Sequence, residues 1–388
     1  MHGKPLGVFV ETGSSTAHFA YETSYAGTPL SLSMPLGEKP DEEVAYAYLE
    51  NLLPENEVAR SRLADLVHAP DDTFGLLAAI GEDVAGAAVL SPDPELPSRV
   101  PTPPYEASID QIAYWVTVLK RDPSAPPPDG IAPRFSLAGQ QAKFSLSLIG
   151  DSWFWSTAEV PSTHIFKPEF EKHRGLQRAE DACLQVAQEV GVLASQAEVM
   201  TFRGQEVFTT RRWDRANGAR IHAEDLLQAY GDVWSDKYGI YADDARRFMA
   251  RYGLEKEHLR QVLFNVAIGN SDAHAKNYSL LLAGSQVRLA PIYDTVPMFL
   301  WPQYDQNLCI TVNGKTTLHN VTEPDWIAWA QQCGYEPELV VTEMRRIFKE
   351  VGERLPSAFS EAGLGTNAVD EAYRYVTLTR ASLSRPVR

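Results

Sequence analysis

Residues Gly269 to Leu282 read GNSDAHAKNYSLLL, and seventeen positions beyond Asn277 the run APIYDTV places a further acid, Asp294, at the end of an apolar stretch. Two carboxylates and one amide, Asp272, Asn277 and Asp294, are thus offered to one site. Phosphoryl transfer asks for such a set. One carboxylate orients the attacking hydroxyl, while an amide and a second carboxylate hold magnesium against a triphosphate. The same residues also suit an ordinary loop, because Asp and Asn side chains bond their own backbone and favour turns. The elements around them must decide.

Protein kinases carry an Asp and, five positions later, an Asn in their catalytic loop, with a metal-binding Asp on a neighbouring strand. Asp272, Asn277 and Asp294 repeat that arrangement. A cation for the phosphates is found in Lys167 of THIFKPE, which ends an alternating strand upstream of a helix bearing Glu180. A solvated lysine at a strand end, and an exposed helix glutamate, are the plain alternatives. Gly139, among small and polar residues between two strands, suits a loop that covers phosphates, though a single glycine is a weak signal. His274 either touches a phosphate or braces the loop. Lys276 either offsets transition-state charge or balances its acidic neighbours. No GxxxxGKS, GxGxxG, GxSxG or HExxH pattern occurs, so P-loop, dinucleotide, serine-hydrolase and zinc-peptidase readings have no foothold.

A chain of 388 residues, with 44% hydrophobic and 22% charged residues, is long enough for two or three folding units with large interiors. The net charge of -16 opposes unassisted binding to a polyphosphate backbone, so DNA contact would need a partner. Cys183, Cys309 and Cys333 are widely separated, which indicates neither a disulfide framework nor a zinc site and suits a reducing cytoplasm. Neither a membrane span nor a signal peptide is apparent, so a cytoplasmic protein is expected.

Periodicity then supplies the frame. Residues 1–105 read as a small α/β subdomain: a strand in LGVFVE, another in PLSLSMPL (Pro29 to Leu36), a helix from Glu43 to Leu53, and a helix, Gly turn and strand across Gly75 to Leu90. Proline-rich stretches at Pro92 to Pro104 and Pro123 to Pro133 exclude continuous helix or central strand and flank a short packed segment, IDQIAYWVTVL. Residues 106–218 read as strands (FSLSLIG, SWFWST, THIFKPE, AEVMTF, EVFTTRRW) around a helix from about Arg174 to Val190. Residues 219–388 read as mostly helical, with AEDLLQAYG, DDARRFMARYG and LRQVLFNVAIGN leading into the acid-bearing loop. The expected fold is α+β: a bilobal, protein-kinase-like plan with an additional N-terminal subdomain and a helical C-terminal lobe.

GNSDAHAKNYSLL followed by PIYDTVP closely resembles the catalytic and metal-binding motifs of the HipA family, the serine/threonine kinase toxins of HipBA-type toxin–antitoxin modules. The likeness continues in family order through PLSLSMPL, LENLLPENEVARSRL, GLLAAIGEDVAGAAVL, SLAGQQAKFSLSL, THIFKPE, RRWDR and AEDLLQAYG. It implies ATP and Mg2+ as cofactors, Asp272 as catalytic base, Asn277 and Asp294 as magnesium ligands, Lys167 on the phosphates and His274 beside the nucleotide. It further implies autophosphorylation of Ser136, which ejects the phosphate-covering loop and silences the kinase. Family members bind a helix-turn-helix antitoxin of HipB type that reads operator DNA, and their targets include aminoacyl-tRNA synthetases. The chain departs from the family in three places. Ala142 stands where an acid is usual, Arg211 replaces a glutamate before the RWDR run, and a strand usually precedes the HGKPLGVF match. The first two bear on nucleotide affinity without fixing its direction; the third implies a missing first strand or a late start. Two other readings keep the fold, a small-molecule kinase of phosphotransferase type and a catalytically weak co-repressor working through an antitoxin.

Overall fold

The computed structural model describes residues 1, 3–93, 104–125, 141–240, 242–308 and 310–383. It divides into two compact units, one of Met1–Lys172, Glu198–Lys237 and Ser279–Val287, the other of His173–Ala197, Tyr238–Tyr278 and Arg288–Arg388.

The first unit opens with an antiparallel hairpin of β1 (Gly7–Gly13) and β2 (Thr16–Tyr21), in which Phe9 faces Phe19. Helices α1 (Glu42–Glu50), α2 (Glu57–Val67) and α3 (Thr73–Ile80) share a core with it, built on Phe19, Leu30, Met34, Tyr48, Leu53, Leu76 and Ile80. Asn56 and Asp72 start α2 and α3 by accepting from the amides of Ala59 and Gly75, which would otherwise lack partners.

Two strand expectations fail in this part. Pro29 to Leu36 forms a tight turn with a single Ser31–Met34 bridge, because Ser31 Oγ and the Leu32 amide donate to the buried Glu224 carboxylate at 2.5 and 2.9 Å. After Gly81 the chain is irregular rather than a strand. There the Gly86 amide donates to Asp214 at 2.8 Å and the Ala87 amide to His222 Nδ1 at 3.3 Å. Backbone donors that find side-chain acceptors have no need of a strand neighbour.

A six-stranded sheet follows, from β3 (Tyr105–Glu106), β4 (Phe144–Ile149), β5 (Ser152–Trp155), β6 (His164–Pro168), β7 (Ala197–Phe202) and β8 (Gln205–Arg211), in the order β3-β5-β4-β6-β8-β7. Between β3 and β4 lies the helix α4 (Ile109–Arg121), begun by a capping box of Ser108 and Gln111. Its Ile112, Trp115, Val116 and Leu119, at helical spacing, pack on Phe144, Leu146, Phe166 and Val207 of the sheet. Ala142 packs against the same core, which accounts for an apolar residue there.

Beyond the sheet, β9 (Arg215–Ala216) and β10 (Ala219–Arg220) make a short hairpin, and β11 (His222–Asp225) pairs antiparallel with β12 (Ser279–Ala283). The helix expected across AEDLLQAYG is confined to α6 (Leu226–Tyr230). Ala223 to Asp225 finish β11, and Asp225 caps the helix in a box with Gln228.

The N-terminal segment and the sheet are joined by a buried ionic cluster. Asp83 accepts from Arg215 at 2.9 Å, Arg220 at 2.7 Å and the Ser162 amide at 3.0 Å. Asp214 accepts from Arg212 and Arg215, both at 2.7 Å, and the spare guanidinium donors reach the carbonyls of Val84 and Gly86. Burial pushes the Asp83 carboxyl up, but the Arg212, Arg220 and Arg215 guanidiniums outweigh it and hold it below its ordinary range. Gly86 is obligatory in this arrangement. Its φ is +75°, and a Cβ would come within 2.6 Å of the Ala223 carbonyl oxygen.

The second unit is helical, with α5 (Leu176–Glu189), α7 (Ala242–Ala250), α8 (Glu255–Ala267), α9 (Glu323–Cys333), α10 (Pro337–Glu361) and α11 (Thr366–Leu383). Helix α10 packs on α5, α8, α9 and α11 through Val340, Met344, Ile347, Leu355 and Phe359, all fully buried. Among the described residues, no helix is long and apolar enough to cross a membrane.

Candidate active site

The apolar run LRQVLFNVAIGN forms α8 and ends in a Schellman motif: the Gly269 amide donates to the Val266 carbonyl at 3.1 Å and the Asn270 amide to the Asn265 carbonyl at 2.9 Å. Gly269 takes φ +71° there, against the rings of Phe299 and Tyr375, where a side chain would collide. The helix is thereby stopped and the chain turned into the acid-bearing loop at a fixed point.

What holds that loop is a set of neutral amides. The Asn270 side chain, 1% exposed, donates from Nδ2 to Asn265 Oδ1 and to the backbone carbonyl of Asp294, both at 3.0 Å, and accepts the Asp272 amide at 3.2 Å. Asn277, also buried, donates from Nδ2 to the Asp272 carbonyl at 3.0 Å. The His274 amide donates to that same carbonyl at 2.9 Å, and the Tyr293 hydroxyl donates to the Lys276 carbonyl at 2.5 Å. One buried asparagine therefore ties the Asp272 turn to the Asp294 segment. The latter reaches the loop after β13 (Gln286–Leu289), anchored where the Ser195 amide donates to the Ile292 carbonyl at 3.0 Å and the Ile292 amide to the Leu193 carbonyl at 2.8 Å.

Asp294 adopts φ +57°, the left-handed region. Asp tolerates it better than most residues, and a non-glycine residue kept there is the sort of strain that collects at functional sites. Asp272 is exposed, and its Oδ1 accepts from the Tyr238 hydroxyl. The Tyr238 ring stands edge-on to the His274 imidazole, with centroids 5.4 Å apart.

The segments that carry Asp272, Asn277 and Asp294 are thus tied to one another, with His274 and Lys276 on the first of them. Lys276 is buried, its carbonyl held by Tyr293. Lys167 belongs to the first unit, buried on β6 opposite Phe208, with its Nζ 5.4 Å from that ring's centroid. Glu180 is buried on α5 in the second unit rather than exposed. Ser136 and Gly139 lie outside the described residues. Arg211 pairs with His164, three register positions from the Lys167–Phe208 pair. That spacing puts its side chain on the opposite face of the sheet from Lys167 and ~10 Å along the strand.

Asn270 and Tyr238 escaped the sequence reading. Asn265 and Asn270 carried a usable signal, since a polar side chain within and just after a strongly apolar helix must find a buried partner. Tyr238, thirty-four positions before Asp272, carried none.

The donors suit a magnesium nucleotide. Magnesium prefers oxygen ligands and is commonly held by one or two side chains together with substrate phosphates. Asn277 commits its nitrogen to the Asp272 carbonyl, which orients its amide oxygen away from that bond, and the backbone of Asp294 is tied to the same loop through Asn270. Among the described residues, no group of three or more His, Cys, Asp or Glu side chains could hold a metal by itself.

The chain is similar to proteins of one family along most of its length. The HipA-like C-terminal domain model matches residues 135–359 and the HipA N-terminal domain model residues 1–91. Y4mE of Sinorhizobium fredii, which bears a kinase designation, is 28% identical over 90% of this chain and 89% of its own. The serine/threonine-protein kinase toxin HipA of Shewanella oneidensis is 28% identical over 91% of this chain and 85% of its own. In a solved complex of the Shewanella oneidensis toxin–antitoxin proteins HipA and HipB with operator DNA, a chain 25% identical superposes with a TM-score of 0.81, covering 97% of this chain and 94% of that one. The α+β architecture is therefore that of a kinase-like fold, and the chain belongs to the HipA family of kinases.

Proposed function

We propose that the protein is an ATP- and magnesium-dependent serine/threonine kinase, the toxin of a two-protein module. Asp272 is assigned to orient an acceptor hydroxyl and to take its proton as the new P–O bond forms. Asn277 and Asp294 would hold magnesium, whose positive charge offsets that of the phosphates when it is bound. Lys167 is assigned to the phosphates, His274 to a place beside the nucleotide, Lys276 to charge balance on the loop and Gly139 to the loop that covers the phosphates. The observation that carries this reading is the Asn270 amide, which fixes the backbone of both acid-bearing segments at once. The division into parts at 1–105, 106–218 and 219–388 belongs to the same proposal.

The finer biology is proposed on the same basis. Ser136 would be the self-phosphorylation site. The partner would be a small helix-turn-helix antitoxin of HipB type, and the net charge of -16 supports operator DNA being reached through that partner rather than directly. The substrate would be a translation component such as an aminoacyl-tRNA synthetase, in the cytoplasm.

Incubation with labelled ATP and magnesium tests the central assignment. Asp272→Asn should reduce phosphate transfer by about 10²–10⁴-fold, the range for a lost general base, with an unchanged melting temperature. Undiminished labelling in that variant removes Asp272 from the chemistry.

A further inference from the structure

The Tyr238 hydroxyl donates to Asp272 Oδ1, although Tyr238 is 59% exposed and its hydroxyl would be well served by water. Holding the loop does not require this contact. The Asp272 amide is already taken by Asn270 and its carbonyl by Asn277 and His274. What the contact does occupy is the carboxylate oxygen itself. An ionised carboxylate is an acceptor only, and the donor that a kinase base receives is an aliphatic hydroxyl of the same hydrogen-bonding kind as a phenol.

We infer that Tyr238 fills the acceptor-hydroxyl subsite, and that a serine or threonine hydroxyl enters by replacing the tyrosine hydroxyl on Asp272. This deepens the proposed kinase reading and rests on it. Displacement costs little, because the exposed phenol regains water while its ring keeps its edge contact with His274, at 5.4 Å and 85°. Tyr238 then forms a wall of the subsite and raises the concentration at which any acceptor competes. The transfer itself is unchanged: the acceptor oxygen bonds to the γ-phosphorus, the bond from that phosphorus to the β–γ bridging oxygen breaks, ADP leaves and the hydroxyl proton passes to Asp272.

The test uses the full chain with ATP and magnesium and takes myelin basic protein as the acceptor, a basic probe suited to an acidic enzyme. Tyr238→Phe removes the donor and keeps the ring. It should lower KM for the basic protein by about three- to tenfold, the effect of losing one hydrogen bond of typical net strength, with kcat unchanged. ATP hydrolysis without protein acceptor, where water must take the same place, should rise comparably. Tyr238→Ala should lower KM at least as far.

A fall in kcat at constant KM would mean that the tyrosine holds Asp272 for catalysis, which overturns the inference, as does a Phe variant identical to wild type. An inactive wild type, with neither transfer nor hydrolysis, removes the kinase reading and this inference together. An active wild type with a neutral Phe variant removes only the inference.

Discussion

Two segments of this molecule are pinned by opposite means. In the first unit, Asp83 and Asp214 are sealed against Arg212, Arg215 and Arg220, with each carboxylate answered by two guanidiniums. In the second, the loop bearing Asp272 is held by Asn265, Asn270 and Asn277, none of which ionises. Under the proposed kinase function, the difference follows from what each segment must keep available. A carboxylate locked between guanidiniums is stable but chemically inert, and its pKa is depressed. Neutral amides can fix a backbone without drawing on the charge that a reaction or a cation needs. The RRWDR run is legible in this light. It resembles a family motif, and its arginines and aspartate serve to weld residues 83–86, inside the N-terminal match, to the sheet inside the C-terminal match.

The comparison can be broken most forcefully at Asp83. Asp83→Asn leaves three buried guanidiniums facing one carboxylate and should cost roughly 3–5 kcal/mol, the usual penalty for uncompensating a buried charge. Chemical denaturation measures it. A loss below about 1 kcal/mol would show that water or rearrangement replaces the pair, and the contrast with the loop would disappear.

Asn270→Ala is the corresponding cut in the second unit. Stability should fall by only about 1–3 kcal/mol, the range for orphaned buried hydrogen-bonding groups. Phosphate transfer should fall by about 10–100-fold, as expected when reacting groups are mispositioned. If unfolding curves shift while transfer stays at wild-type rate, the amide is a structural tie and nothing more.

The smallest effect concerns Glu224, a buried acid with no guanidinium partner among the described residues. Burial pushes its carboxyl up to about 8 from an ordinary 4.5, and its bonds from Ser31 and Leu32 only partly oppose this. A raised folded value means that the fold favours the neutral acid. Its stabilising contribution is complete below the unfolded value and is lost as pH rises through about 8. The wild-type melting temperature should therefore decline between pH 6 and pH 9, by a few degrees. Glu224→Gln can donate to Ser31 and accept from Leu32 without titrating, so its decline should be flatter. Parallel curves for the two proteins would show that Glu224 does not report on this window.

Much of the fold could be read without coordinates because it rests on local periodicity. The apolar stripes of α5 and α8 and the alternation in THIFKPE each encode an element in a few consecutive residues. Pro29 to Leu36 and Val84 to Leu90 misled for the complementary reason. Their apolar content suits a strand, yet the partners that take their backbone donors, Glu224, Asp214 and His222, lie more than a hundred positions away.

The site divides along the same line. Spacing alone placed Asp272 and Asn277 on one loop and nominated Asp294, since residue type and interval are properties of the chain. Only the tertiary structure decided that Asn270 would join the two acid-bearing segments and that Tyr238 would close on Asp272. It likewise decided that Arg211 would face away from Lys167. Each of these depends on side chains that meet after the chain has folded back on itself, and hydrogen-bond complementarity at such a distance leaves no periodic trace in the order of residues.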